Sequence, residues 1–203
     1  NEDETDQLYN FKTKNPLSDK DVDLGHYEKA MTFLAEKGAI DAISYLGQYQ
    51  DKSISEIKQA RFFKSAILHA SLLIGVQRFS QAESFINEYQ QSHPSNSDFS
   101  KLRIRLALAQ KNYSQSLTLL DAFSIPINID ADFEELRAVT QQAKGQYIDA
   151  QNTYKKLLKF DNRISRWWMG LAIAFDSSAD FKSAKQAYQQ VLLSTDLRLY
   201  FLL

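Results

Sequence analysis

No cysteine occurs among the 203 residues. That excludes disulfides, thiolate metal sites and cysteine nucleophiles, and is compatible with the cytosol and with an oxidising space alike. Breakers are scarce too, with 3 prolines and 6 glycines. A sheet fold of this length needs many tight turns, so the shortage favours helix. Charge of one sign is also missing: 24 Lys and Arg stand against 25 Asp and Glu, a net charge of −1. Nucleic-acid binders carry a basic excess or a basic stripe, so no nucleic-acid partner is expected. Long apolar runs are absent as well. The stretch Ala66 to Val76 is interrupted by His69 and Ser71 and is too short to span a bilayer, so this segment is expected to make no direct membrane contact. No signal peptide is visible and the chain opens on Asn1. We therefore expect a domain cut from a longer protein, with any anchor or address in the part that precedes it.

Catalytic equipment is equally thin. The three histidines, His26, His69 and His93, show no metal-ligand spacing of the H-E-x-x-H kind. His69 sits in a helical pattern beside Ala70, where a packing or groove role is the simpler reading, and His93-Pro94 reads as a turn. There is no phosphate-cradling glycine loop and no G-x-S-x-G elbow. Acidic pairs such as Glu134-Glu135 are common on solvated helix faces and alone do not argue for acid–base work. The expectation is a protein that is not an enzyme and has no cofactor and no metal.

What the sequence does contain is a repeat. Hydrophobic residues make up 44% of it, enough for a folded core, and they recur with a period of 34. Phe79, Tyr113, Tyr147 and Phe181 form one series; Ala82, Ser116, Ala150 and Ala184 follow in step. Ala70, Ile104, Ala138 and Ala172 precede them, and Ile86, Leu120, Tyr154 and Tyr188 come after. Tyr89, Phe123, Leu157 and Val191 make a further series, as do Phe99, Phe133 and Trp167. Pro94, Asn128, Asn162 and Asp196 close the units with turn formers. Small residues at fixed places let two helices cross closely, and large ones fill the space to the next unit, so no unit buries its apolar face alone.

This pattern resembles the tetratricopeptide (TPR) family, whose signature runs W-x2-L-G-x2-Y, then A-x3-F, then P. The last unit is most similar, with Trp168, Leu171, Ala172 and Phe175 followed by Ala184 and Tyr188; His69, Arg103 and Arg137 stand where earlier units should carry the Leu. The resemblance implies an all-α fold, a right-handed α-solenoid of antiparallel helix pairs with about five units plus a truncated capping helix. We expect an acidic, largely flexible tether at 1–18 and a TPR domain at 19–203. Its units are placed at about 19–56, 63–96, 97–130, 131–164 and 165–198, with Asp19 or Asp21 capping the first helix and an insertion or an extended helix start at Asp51 to Glu56. The tail from Asp196 is read as the start of the capping helix.

In TPR domains the first helix of each unit lines a concave groove, so the resemblance also implies which residues meet a partner. They are Lys64, Ile67 and Ser71 in one unit and Lys101, Arg105 and Leu108 in the next. Glu135, Val139 and Gln142 follow, then Arg166, Met169 and Ile173. That surface is basic toward the middle, with Arg103 nearby, and apolar toward the C-terminal unit. It suits an extended or helical peptide with an acidic portion, Met169 supplying adaptable contact. The chaperone-binding branch of the family clamps a terminal carboxylate with Lys and Asn; no Asn falls on these positions, so that ligand is not expected. Of the pair Trp167-Trp168, at least one ring is expected in repeat packing, and an exposed one would be a binding anchor.

A narrower resemblance covers the C-terminal part. The stretch from Arg166 to Asp176, then Phe181 to Tyr188 and Leu197 to Tyr200, with Ala138 to Gly145 upstream, is similar to the periplasmic TPR domain of MSHA-type pilus biogenesis proteins (the MshN family). It implies a membrane-anchored scaffold, the periplasmic domain of a single-span inner-membrane protein, working in type IV pilus assembly; without that resemblance the expectation is a cytoplasmic protein. Two readings of function stand at this point. One is a scaffold that binds a protein or peptide partner in its groove. The other is a structural module that self-associates through the apolar end Leu199 to Leu203.

Overall fold

The computed structural model describes residues 18–50, 63–123 and 125–200, with residue 50 and residues 194–200 described by backbone alone. The expected tether, but for Ser18, and the expected insertion at Asp51 to Glu56 lie outside the described residues. Neither Asp19 nor Asp21 caps the first helix. Ser18 does, its hydroxyl oxygen accepting from the Asp21 N–H at 3.3 Å, while the two aspartates fall in the first turn. A short polar side chain there satisfies an orphan N–H, and the carboxylates behind it complement the positive end of the helix dipole.

Among the described residues there are ten α-helices and no strand, arranged as five pairs. They are α1 (Asp19–Glu36) with α2 (Ala39–Gln50), α3 (Lys64–Gly75) with α4 (Phe79–Ser92), and α5 (Ser97–Ala109) with α6 (Tyr113–Ala122). Then come α7 (Asp132–Ala143) with α8 (Tyr147–Phe160) and α9 (Ser165–Ser177) with α10 (Phe181–Tyr200). Two compact units divide the chain inside α5, one through Leu102 and the other from Arg103. Among the described residues no helix is long and apolar enough to cross a membrane.

The turns inside the pairs repeat as faithfully as the helices. Gln77, Lys111, Gly145 and Ala179 all have positive φ, between 60° and 83°. Each is the left-handed residue of the same helix-ending motif. The N–H one residue later donates back across five residues: Arg78 to Leu73, Asn112 to Ala107, Gln146 to Gln141 and Asp180 to Phe175, at 2.8–3.0 Å. Orphan carbonyls of the first helix are satisfied in this way. Glycine adopts that backbone without strain, yet only one of the four residues is glycine. Replacing Ala179 or Lys111 by Gly is therefore expected to stabilise the fold by about 1 kcal/mol, raising Tm by about 2–4 °C. Thermal unfolding followed by circular dichroism reads this, and a lowered Tm would refute the motif.

Inside the pairs, the series of small or apolar residues are buried between the helices. Ala70, Ile104, Ala138 and Ala172 are fully buried, as are Ala82, Ser116 and Ala150. In the first unit the core is aromatic: Phe99 meets Phe63 edge-on and stacks on Tyr89, each at 5.3 Å between centroids. Asp23, a buried carboxylate on α1, accepts from the backbone N–H groups of Lys64 (2.9 Å) and Ser65 (3.2 Å) and from the Ser65 hydroxyl. It caps α3 from a different helix, which ties α1 to α3. In the second unit Ile104, Leu120, Phe133 and Leu136 form one cluster, and Tyr154, Leu157, Trp167 and Leu171 belong to another. Arg137, which stands at an expected Leu position, donates to the Leu120 carbonyl at 3.0 Å and to Asp121 at 2.6 Å, closing the end of the short α6.

At the end of the chain the structure departs from expectation. No turn forms at Asp196, and α10 continues through Tyr200 as one helix of 20 residues. Asp196 to Tyr200 thus extend α10 and do not begin a separate capping helix.

Candidate partner-binding face

In the second unit the predicted residues converge on two neighbouring helices. Glu135, Val139 and Gln142 are spaced four and three apart on α7; Arg166, Met169 and Ile173 are spaced three and four apart on α9. Either spacing keeps a set on one helix face. The two faces are joined by Glu135, which accepts from Arg166 Nε at 2.8 and 3.0 Å and from the Trp167 indole at 2.7 Å. Trp167 is buried, so it fixes the carboxylate, and the carboxylate orients the guanidinium. Arg166 also lies 5.7 Å from the Trp167 ring centre. Hydrogen bonding to Glu135 holds the Arg166 pKa above its ordinary value. Burial, with the charge of Glu135 as the second cause, pushes the Tyr154 hydroxyl up to about 12, so it stays neutral.

Beside this pair lie Val139, Met169 and Ile173, each between 36% and 39% exposed. Three apolar side chains half open to water, next to a positioned guanidinium, make a surface that can take apolar side chains of a partner and an acceptor at one end. Gln142 is half-buried on the same face.

The other predicted residues are placed differently. On α3, Lys64 is exposed with its ammonium 4.3 Å from the Tyr27 ring centre, and Ser71 donates to the Ile67 carbonyl at 2.7 Å within its own helix. On α5, Lys101 is an ion-pair partner of Asp98 at 2.9 Å, and its side chain is only 12% exposed. The basic middle expected from sequence therefore rests on Arg105, which is exposed, with Leu108 and Arg103 half-buried.

Sequence reasoning missed the bond from Trp167 to Glu135, since a 32-residue separation gives no local signal. It also missed an open cleft of about 450 Å³ between α9 and α10, lined by Trp168, Leu171, Phe175, Gln186, Ala187 and Gln190. Trp168 is held there by donation from its indole to the Asn162 carbonyl at 2.8 Å.

No family model matches the sequence, and no curated protein matches it. Solved structures do. The chain is similar to residues 41 to the end of MamA from Desulfovibrio magneticus RS-1, with a TM-score of 0.60 and 15% identity over 86% of this chain and 95% of that one. A further crystal structure of MamA protein aligns with a TM-score of 0.56 and 11% identity, over 91% of this chain and 96% of that one. At such identities the likeness concerns the fold alone. The chain has an all-α, TPR-like fold of helix pairs, which these MamA structures share.

Proposed function

We propose that this protein is an interaction scaffold that holds a segment of a partner protein on the faces of its first helices. The observation that carries this reading is the α7–α9 face, where Val139, Met169 and Ile173 stay half-exposed beside the oriented Arg166. Helix-pair repeats bury a continuous core and leave their helix faces for binding, and Met is well suited to adaptable contact. The segment bound there carries apolar side chains and one carboxylate for Arg166. Lys64, Ile67, Ser71, Lys101, Arg105 and Leu108 occupy the equivalent first-helix positions earlier in the chain and extend the same role.

The process we propose is assembly of a type IV pilus of the MSHA type or related envelope machinery, with this domain on the periplasmic side. Its support is the resemblance of Arg166 to Asp176 and Phe181 to Tyr188 to that family. Affinity capture from an envelope extract of the source cell, read by mass spectrometry, tests both halves. The parent chain is expected to retain pilus-assembly proteins, and a Met169→Glu, Ile173→Glu variant to lose them while keeping its circular dichroism spectrum. Equal capture by both baits removes the α7–α9 face from consideration; capture of unrelated proteins that the variant loses keeps the face and removes the pilus.

A further inference from the structure

On the reading of the α7–α9 face as the partner-binding site, we infer that buried Trp167 gives that face its selectivity for a carboxylate over an amide. Acting through Glu135, it keeps both terminal nitrogens of Arg166 open to an aspartate or glutamate side chain of the bound segment.

A carboxylate facing an arginine commonly spreads over two nitrogens, one oxygen to each, in parallel bonds. Glu135 is bound differently. Both of its oxygens lie on the single Nε of Arg166, at 2.8 and 3.0 Å, and Oε2 also accepts from the Trp167 indole at 2.7 Å. That indole is fixed, since Trp167 belongs to the same core cluster as Tyr154, Leu157 and Leu171. It takes up the oxygen that would otherwise reach a terminal nitrogen of the guanidinium. Among the described residues neither terminal nitrogen of Arg166 donates to a protein group. The Arg166 side chain is 60% exposed against 23% for Glu135, so the uncommitted end of the guanidinium is open to water.

The terminal nitrogens present their N–H groups in one plane, which suits the two oxygens of a carboxylate met end-on. An amide side chain offers a single oxygen and loses one of the paired bonds. Charge alone gives no such selection here, because Glu135 and Asp132 both bear on Arg166 and outnumber it. The direction of the donors decides, and an ammonium in place of the guanidinium would not supply it. The bound acid therefore lies at the start of α9. Met169 and Ile173 take apolar side chains about 4.5 and 10.5 Å further along the helix.

Panning phage-displayed random dodecapeptides on the full chain supplies the probe. Enriched peptides are expected to carry an aspartate or glutamate near apolar residues, and the Met169→Glu, Ile173→Glu variant should retain none of them. The tightest is then made in its acidic form and with that residue as the matching amide, and both are measured by fluorescence anisotropy. The parent should prefer the acidic form by about tenfold or more. Arg166→Lys should bind the two forms alike. So should Trp167→Phe, in which Glu135 is released to spread over Nε and a terminal nitrogen and closes the open end. The ratio is the readout because partial unfolding of a variant weakens both forms equally. A parent without preference overturns the inference, as does either variant that keeps the parent's ratio, and the face itself then still stands. Peptides that Met169→Glu, Ile173→Glu holds as tightly as the parent overturn the face and the inference together, and so does a library from which nothing is enriched.

Discussion

Unfolding free energy is expected to fall by about 2–3 kcal/mol as pH drops from 6.5 to 4, with His69 as the cause. Its imidazole is buried on α3, meets Phe85 edge-on at 4.9 Å, and has its Cε1 3.8 Å from where a Cβ on Gly47 would stand. Burial away from water disfavours the imidazolium and lowers its pKa from 6.5 to about 4. Between those values the unfolded chain takes up a proton that the folded chain refuses, so stability is full above pH 6.5 and is lost as pH falls toward 4. Asp161, held at about 2 by its hydrogen bonds with Arg163, contributes its own dependence only below the usual carboxylate range. The two windows therefore separate. Urea unfolding of the parent and of His69→Leu at pH 7 and pH 4.5 checks the assignment. The parent should lose markedly more stability than the variant over that interval. Parallel losses would mean that the imidazole is protonated in the folded protein.

Much of the fold could be read from spacing because the physical requirement recurs with the repeat. A small residue is needed wherever two helices cross, so Ala70, Ala138 and Ala172 announce themselves at fixed intervals and all prove fully buried. The aromatic series was equally legible, since Phe79, Tyr113, Tyr147 and Phe181 are each the first residue of a second helix. What spacing could not give was identity-dependent. The left-handed turn residues recur every 34 positions, but Gln77, Lys111 and Ala179 lack the glycine that would have marked them. The register of the first helices was read from Leu171, yet in earlier pairs the packing leucine falls one residue sooner, at Leu102 and Leu136. Arg137 then turns to the carbonyl end of α6 instead of the core. At the candidate face, sequence placed Glu135 and Arg166 on their helices but could not show that Trp167 locks the pair, because side-chain hydrogen bonds across 31 and 32 residues leave no periodic trace.

Gly170→Leu is expected to destabilise the second unit by about 3 kcal/mol or more, although leucine is the better helix former by about 1 kcal/mol. A Cβ on residue 170 would stand 2.2 Å from Tyr154 Cζ and 2.5 Å from its hydroxyl oxygen, and that ring is buried in the core, so the ring must shift against its packed neighbours to admit a side chain. One period earlier the same two places hold Leu120 and Leu136, which share a cluster. The volume of one leucine–leucine pair has been redistributed here into a tyrosine and a glycine. If that is the physical reason for the glycine, the two substitutions must compensate. Tyr154→Leu alone should cost about 2–4 kcal/mol by leaving a void over Gly170. The double variant, Tyr154→Leu with Gly170→Leu, should recover most of both losses, with a coupling energy of about 2–3 kcal/mol. Urea denaturation of the four proteins closes the cycle. Additive losses would show that the two side chains do not compete for one space.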